Sequence, residues 1–215
     1  MATVAASGLV TAIAAGPAVI TATESESGRI ATVAVTVTAA SNVVYSNDFQ
    51  GAIGSEWSTQ ATREDPLNAT DKLLGGFVNQ TARLTLAGLP QHSSVTVAFD
   101  LYVLNSWDGN GPPPIGSEIW SLTVANGGPT LIYTNFNNND GNQSYPGTFP
   151  TDSYPARTGA AFSSPANPRY TVYRISKTFS HTAGGVALNF AATGLEDFDQ
   201  NESWAIDNVE VRVQP

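Results

Sequence analysis

SVTVAFDLYVL, residues 94 to 104, is the stretch whose reading decides the fold. Val95, Val97, Phe99, Leu101 and Val103 share one face of an extended chain, and Thr96, Ala98, Asp100, Tyr102 and Leu104 share the other. Both faces are substantially apolar, as in a central strand of a curved sheet that lies under a second layer. Outward from this strand, further candidate strands lie at 43–49, 73–78, 81–87, 118–125, 130–136, 171–179, 185–193 and 203–213. No segment carries a convincing helical period. The spacing predicts an all-β antiparallel sandwich. Between the strands, 137–170 carries many prolines and no strand pattern, so it is read as a long loop, of the kind that is either functional or disordered.

Composition agrees with this reading. Charged residues make up only 13% of the 215, and Thr, Ser, Asn, Gly and Pro are abundant, which suits half-exposed strands and tight turns. Eighteen acids against nine bases leave a formal charge of −9, which repels phosphate backbones, so no nucleic-acid partner is expected. There is no cysteine, which removes disulfides, thiol catalysis and thiolate metal sites. The alanine-rich start lacks a basic n-region, its first base being Arg29, and it reads as strands and not as a leader. No apolar run approaches the roughly 18 residues of a membrane span, so no membrane insertion is expected.

The first 40 residues form their own pattern. LVTAIAA, a Gly16-Pro17 turn, AVITATE and IATVAVTVTA read as short alternating strands. Ala2-Thr3-Val4, Gly8, Val10-Thr11-Ala12, Gly16, Ala18, Ile20-Thr21-Ala22-Thr23 and the 31–37 strand resemble the C-terminal half of the second group of bacterial immunoglobulin-like (Big) domains. The resemblance implies half a sandwich with an uncovered apolar face. Three things could cover it: a longer protein continuing upstream, the following domain, or a neighbouring chain adding strands. The last would make residues 1–40 an assembly device and a route to homo-oligomers.

All four tryptophans, all seven tyrosines and all nine phenylalanines lie beyond residue 44, so the main core belongs to 41–215. This part opens with VVYSNDFQGAIGSEWS (43–58) and closes with ESWAIDNVEVRV (202–213). These ends are similar to those of the concanavalin-like, jelly-roll sandwiches of secreted bacterial proteins, including MAM-like, laminin-G-like and carbohydrate-binding modules. The fold implied is an antiparallel jelly-roll β-sandwich preceded by a partial immunoglobulin-like β-segment. In a jelly roll the first and last strands are neighbours, which would bring Asn47 and Asp48 close to Asp207 and Asn208. Such modules hold a structural calcium there, with the closing-strand aspartate as ligand. The resemblance therefore implies calcium on Asp207 and Asp48, with Asn47 and Asn208 beside them. The other reading is that Asp207 and Asn208 bond backbone groups where the last strand begins.

Further polar groups are weighed for ligand binding. NSWDGNG (105–111) has turn chemistry but lacks EF-hand spacing; it offers Trp107, Asp108 and Asn110, with Trp120 as a second aromatic for a sugar platform or for the core. NFNNNDGNQ (135–143) offers Asn137, Asn139 and Asp140 to sugar hydroxyls or to solvent. The densest acidic cluster, Glu196, Asp197, Asp199 and Glu202, supplies the alternate acids Asp197 and Asp199 that a retaining glycosidase would need. It does not reproduce the E-x-D-x-x-E of laminarinase-like hydrolases, and it is placed in a turn before a strand that closes an edge. His92 and His181 stand alone and are read as surface residues in turns. These features lead to an expectation of a non-catalytic extracellular or cell-surface module for adhesion or carbohydrate binding, stabilised by calcium, with a polysaccharide or neighbouring subunit as partner. The alternatives are a structural subunit of a surface layer, filament or virion coat assembled through the half-domain, and a glycoside hydrolase.

Overall fold

The computed structural model describes residues 2–13, 15–37, 41–112, 118–167, 169–196 and 201–215, and every regular element among them is a strand. The chain divides into two compact units, Met1–Asn42 with Gln214–Pro215, and Val43–Val213.

The first unit holds two antiparallel hairpins, β1 (Ala2–Val4) with β2 (Val10–Ala12), and β3 (Gly16–Thr23) with β4 (Ile30–Val37). Across the second hairpin Ala18 faces Val35, Ile20 faces Val33 and Ala22 faces Ala31. Residues directly opposite in an antiparallel pair share a face, so one side of this ribbon is wholly apolar. Val33 on that side is 56% exposed.

The second unit is an antiparallel β-sandwich. It comprises β5 (Asn42–Asn47), β6 (Thr62–Asp65), β7 (Asn68–Phe77), β8 (Thr81–Ala87), β9 (Ser94–Asn105), β10 (Ile119–Val124), β11 (Thr130–Thr134), β12 (Asn142–Gln143), β13 (Tyr154–Pro155), β14 (Phe162–Ser163), β15 (Tyr170–Ser180), β16 (Gly185–Thr193) and β17 (Glu202–Gln214). One sheet runs β14-β15-β9-β17-β7-β6, with β5 also pairing β17; the other runs β11-β10-β16-β8. The strand that decides the fold pairs β15 from Leu104↔Tyr170 to Ser94↔Ser180. Its odd residues, Val95 to Val103, join Leu122, Leu188, Phe190, Trp204 and Val211 in the core between the sheets. Tyr102 and Leu104 lie on the opposite face, in a smaller cluster with Leu73, Tyr170, Val172 and Ala205.

The closing strand corrects one expectation. β17 does not close an edge; it lies inside the sheet between β9 and β7. Trp204 and Ile206 point into the core at its start, and Val209, Val211 and Val213 do so further on. The switch of parity falls at Asn208, whose φ of 51° is the left-handed conformation that asparagine tolerates at a bulge. Asp207 and Asn208 therefore sit at a mid-strand bulge and not at the start of the strand.

Two further differences concern polar sequence. β6 (TRED) and the first half of β7 (NATDK) were not expected to be strands, because they carry almost no apolar alternation; pairing to the rest of the sheet, not propensity, places them. The 137–170 region contains three two-residue strands, and much of its polar chain is buried.

Candidate functional site

Two groups of acids come together on the sandwich, on its outer face and at one end. Alternation past Trp204 and Ile206 puts Asp207 on the outer face of the larger sheet, the bulge keeps Asn208 beside it, and the β5–β17 pairing brings the 47–48 segment to the same strand. Asp207 is 3% exposed. Its Oδ2 accepts a hydrogen bond from Asn208 Nδ2 at 3.0 Å, while its Oδ1 is buried without a partner. Burial, opposed by the Asn208 backbone N–H and reinforced by Asp71, Asp100 and Asp48, pushes this carboxyl up to about 7. An orphaned buried oxygen ringed by acids fits a proton or a hard cation.

The other residues implied for calcium fit less closely. Asp48 is exposed and caps the Gln50 backbone N–H at 3.2 Å. Asn47 spends its side-chain oxygen on the Phe49 N–H at 2.7 Å and donates from Nδ2 to the Tyr45 hydroxyl, so it holds the turn after β5. Asn208 donates from Nδ2 to both Asp207 and Asp100. Asp71 and Asp100 were not foreseen, because nothing in their local sequence marks them; the sheet brings them to Asp207.

Beside this acidic face lies an open groove of about 820 Å³. Thr62, Arg63, Glu64 and Asp65 of β6 line one side, with Gly75 and Gly76 of β7, Gln80 and Ser203 around them. Asp65 is buried and accepts the Tyr170 hydroxyl at 2.8 Å on each oxygen. Burial, then this bond, raises the Tyr170 phenol above its ordinary value.

The second group of acids lies at one end of the sandwich. One carboxylate oxygen from each of Asp108, Glu118 and Glu202 falls within 4.8 Å of the others; among the described residues this is the one set of three or more possible metal ligands so arranged. Glu118 and Glu202 are 1% and 0% exposed. Burial above all, and then Glu118 and Asp108, push Glu202 well above the carboxylate range, although its Oε2 accepts the Glu196 backbone N–H at 2.7 Å.

The ligand-binding residues expected from NSWDGNG and NFNNNDGNQ have other tasks. Trp107 and Trp120 are fully buried; Trp107 donates from Nε1 to the Ser203 carbonyl at 3.0 Å, and Trp120 meets Trp204 edge to face at 6.1 Å. Neither can stack on a sugar. Asn137 is 1% exposed and donates to the Asp108 carbonyl at 2.7 Å. Asn110 accepts from Asn135 and Ser144, both at 2.9 Å. Asn139 donates to the Ser106 carbonyl and to Asp108 Oδ1. These amides satisfy the backbone of a buried loop, which needs a partner for every N–H and C=O. Asp140 alone of the three foreseen in NFNNNDGNQ is exposed. Asp197 and Asp199 lie outside the described residues.

The histidines are a correction. His92 is 5% exposed, and its Nε2 lies 2.8 Å from His181 Nδ1 with the rings stacked. Two turns that are remote in sequence meet there, so the residues look isolated only along the chain.

No protein-family model matches the sequence, and no curated relative does. The chain is similar to a solved structure of the functional form of the mosquito-larvicidal Cry4Aa toxin from Bacillus thuringiensis, at 9% identity and a TM-score of 0.35, over 76% of this chain. The chain spans about a fifth of that toxin, 22%, and a likeness this distant carries no argument about fold or function.

Proposed function

We propose that this chain is a non-catalytic binding module of extracellular or cell-surface type, whose sandwich takes a polysaccharide or glycan in the groove beside β6 and β7. The observation that carries the reading is the lining of that groove. Arg63, Glu64, Gln80 and Thr62 offer donors and acceptors to hydroxyl groups from paired strands and their ends, a rigid base for polar recognition. A net charge of −9 favours a neutral or basic ligand over a phosphorylated one. The buried Glu118–Glu202 pair is out of reach of a polymeric substrate, which supports a binding role over hydrolysis. Calcium would be held on the outer face by Asp207, with Asp71, Asp100 and Asp48 nearest to it, and would stiffen the sheet next to the groove.

The test is binding of the full chain to a polysaccharide panel, with calcium and with chelator. Arg63→Ala and Gln80→Ala should weaken retention by about tenfold or more, the loss of one to two hydrogen bonds that include a charged one. No retention of the unaltered chain on any polysaccharide, in either condition, would refute the reading.

A second reading has its own observation. The β3–β4 ribbon keeps an apolar side of Ala18, Ile20, Ala22, Ala31, Val33 and Val35, and a two-stranded ribbon is marginal on its own. We infer that this side packs on a second copy of the chain in an assembly. Native mass spectrometry should then show oligomers that disappear on deletion of residues 1–40; a monomer at all concentrations refutes it.

A further inference from the structure

We propose that Asp108, Glu118 and Glu202 form a second cation site, which takes a hard divalent ion of calcium type and staples the two sheets of the sandwich together. The three acids come from different parts of the fold. Asp108 follows β9 and bridges Asn137; Glu118 directly precedes β10; Glu202 opens β17. β9 and β17 belong to the larger sheet and β10 to the smaller, so a shared ion would tie one layer to the other.

The observation that points to a ligand is the state of Glu202. The residue is fully buried, one oxygen is taken by the Glu196 N–H, and its Oε1 has no hydrogen-bond donor. Glu118 lies against it, but one carboxyl can bond another only if one of them carries a proton. A buried, acceptor-only group facing two more carboxylates needs a positive species at that point.

The surroundings strengthen this need. Trp107, Trp120 and Trp204 are each one or two residues from one of the acids, and all three are 0% exposed, so the floor under the carboxylates has a low dielectric constant. Asp108 is only partly buried, which leaves a way in, and the Asn139 amide holds it in place. All the charged donors are oxygens, the preference of Ca²⁺, and two oxygens on opposite sides of such an ion lie roughly 4.6–5.2 Å apart. The 4.8 Å limit of the cluster accommodates that span, and water completes the shell. The site is separate from the Asp207 face and does not depend on a glycan in the groove.

Calcium chloride and terbium are the probes, on the full chain at pH 7.5 after chelator treatment. Calcium at about 100 times its Kd should raise Tm by roughly 5–10 °C. Terbium bound beside three tryptophans should give sensitised luminescence that calcium quenches. Glu202→Gln and Glu118→Gln should abolish the luminescence and reduce the calcium shift to whatever the Asp207 face alone gives, and Asp207→Asn should keep the luminescence. Gln is isosteric and neutral, so both variants should fold without metal; should one fail, the other and Asp108→Asn give the same reading. The proposal is overturned if the unaltered chain shows no sensitised terbium luminescence that calcium displaces, if Glu202→Gln retains that luminescence, or if Asp207→Asn alone removes it. The first result would leave a proton shared by the Glu118–Glu202 pair.

Discussion

Replacing Asp207 by asparagine should raise stability at neutral pH and remove much of its pH dependence. Burial, with Asp71, Asp100 and Asp48 nearby, moves this carboxyl from 3.8 to about 7 in the folded chain. At pH values below 3.8 both folded and unfolded chains hold the proton, and the contribution to stability is complete. As pH rises through the window the unfolded chain releases its proton first, so stability falls by about 1.4 kcal/mol per pH unit, roughly 4 kcal/mol by the time the folded carboxyl titrates. Asparagine does not titrate, and its amide hydrogens can meet the surrounding carboxylates. Urea unfolding followed by tryptophan fluorescence, in chelator at pH 4.5 and 7.5, measures the effect. The unaltered chain should lose about 3 kcal/mol more than the variant between the two pH values. Parallel losses would refute the reasoning, because they would mean that Asp207 ionises as it does in water.

Three more outcomes follow from the packing. Gly75 lies opposite Ala205, and an added Cβ would fall 2.2 Å from the Ala205 Cβ and 2.5 Å from its Cα; Gly75→Val should cost about 2–3 kcal/mol in urea unfolding, and a variant of unchanged stability would show that the strands can part. Trp204→Ala should cost about 3–5 kcal/mol, since the ring is buried against Phe77 and Trp120; this too is read from the unfolding midpoint. His181 is held below its ordinary value by burial and by His92, so its contribution is complete above pH 6.5 and is lost as pH falls through the folded value. His181→Gln should flatten stability on that acid side in a pH series of melting temperatures.

The two titration effects run in opposite directions, the histidine losing stability toward acid and the outer-face aspartate toward neutral pH. Between the folded and the unfolded values of His181 the two slopes offset each other, and on either side of that interval the aspartate slope prevails, so its effect sets the trend toward acid; Asp207→Asn should uncover the histidine's loss of stability there.

The sequence by itself determined the class of fold. Alternation in 94–104 is a local property of an extended chain, so the core face of β9 is read directly from Val95, Val97, Phe99, Leu101 and Val103. The neighbouring first and last strands were also legible from their end motifs. β6 was not, because a polar TRED strand exists only where a partner supplies its hydrogen bonds. The tryptophans of NSWDGNG and the 118–120 segment were ambiguous, since a core ring and a binding platform have the same composition. The amides of 135–143 were read outward for a similar reason, although a buried loop needs them inward. Tertiary structure alone decided the acids. Asp108 and Glu118 are 10 residues apart and Glu202 lies 84 further on; they belong to different strands and loops, and no motif spacing joins them. Charge interactions depend on distance in space and on the surrounding dielectric, and both are set only when the two sheets close over the tryptophan floor.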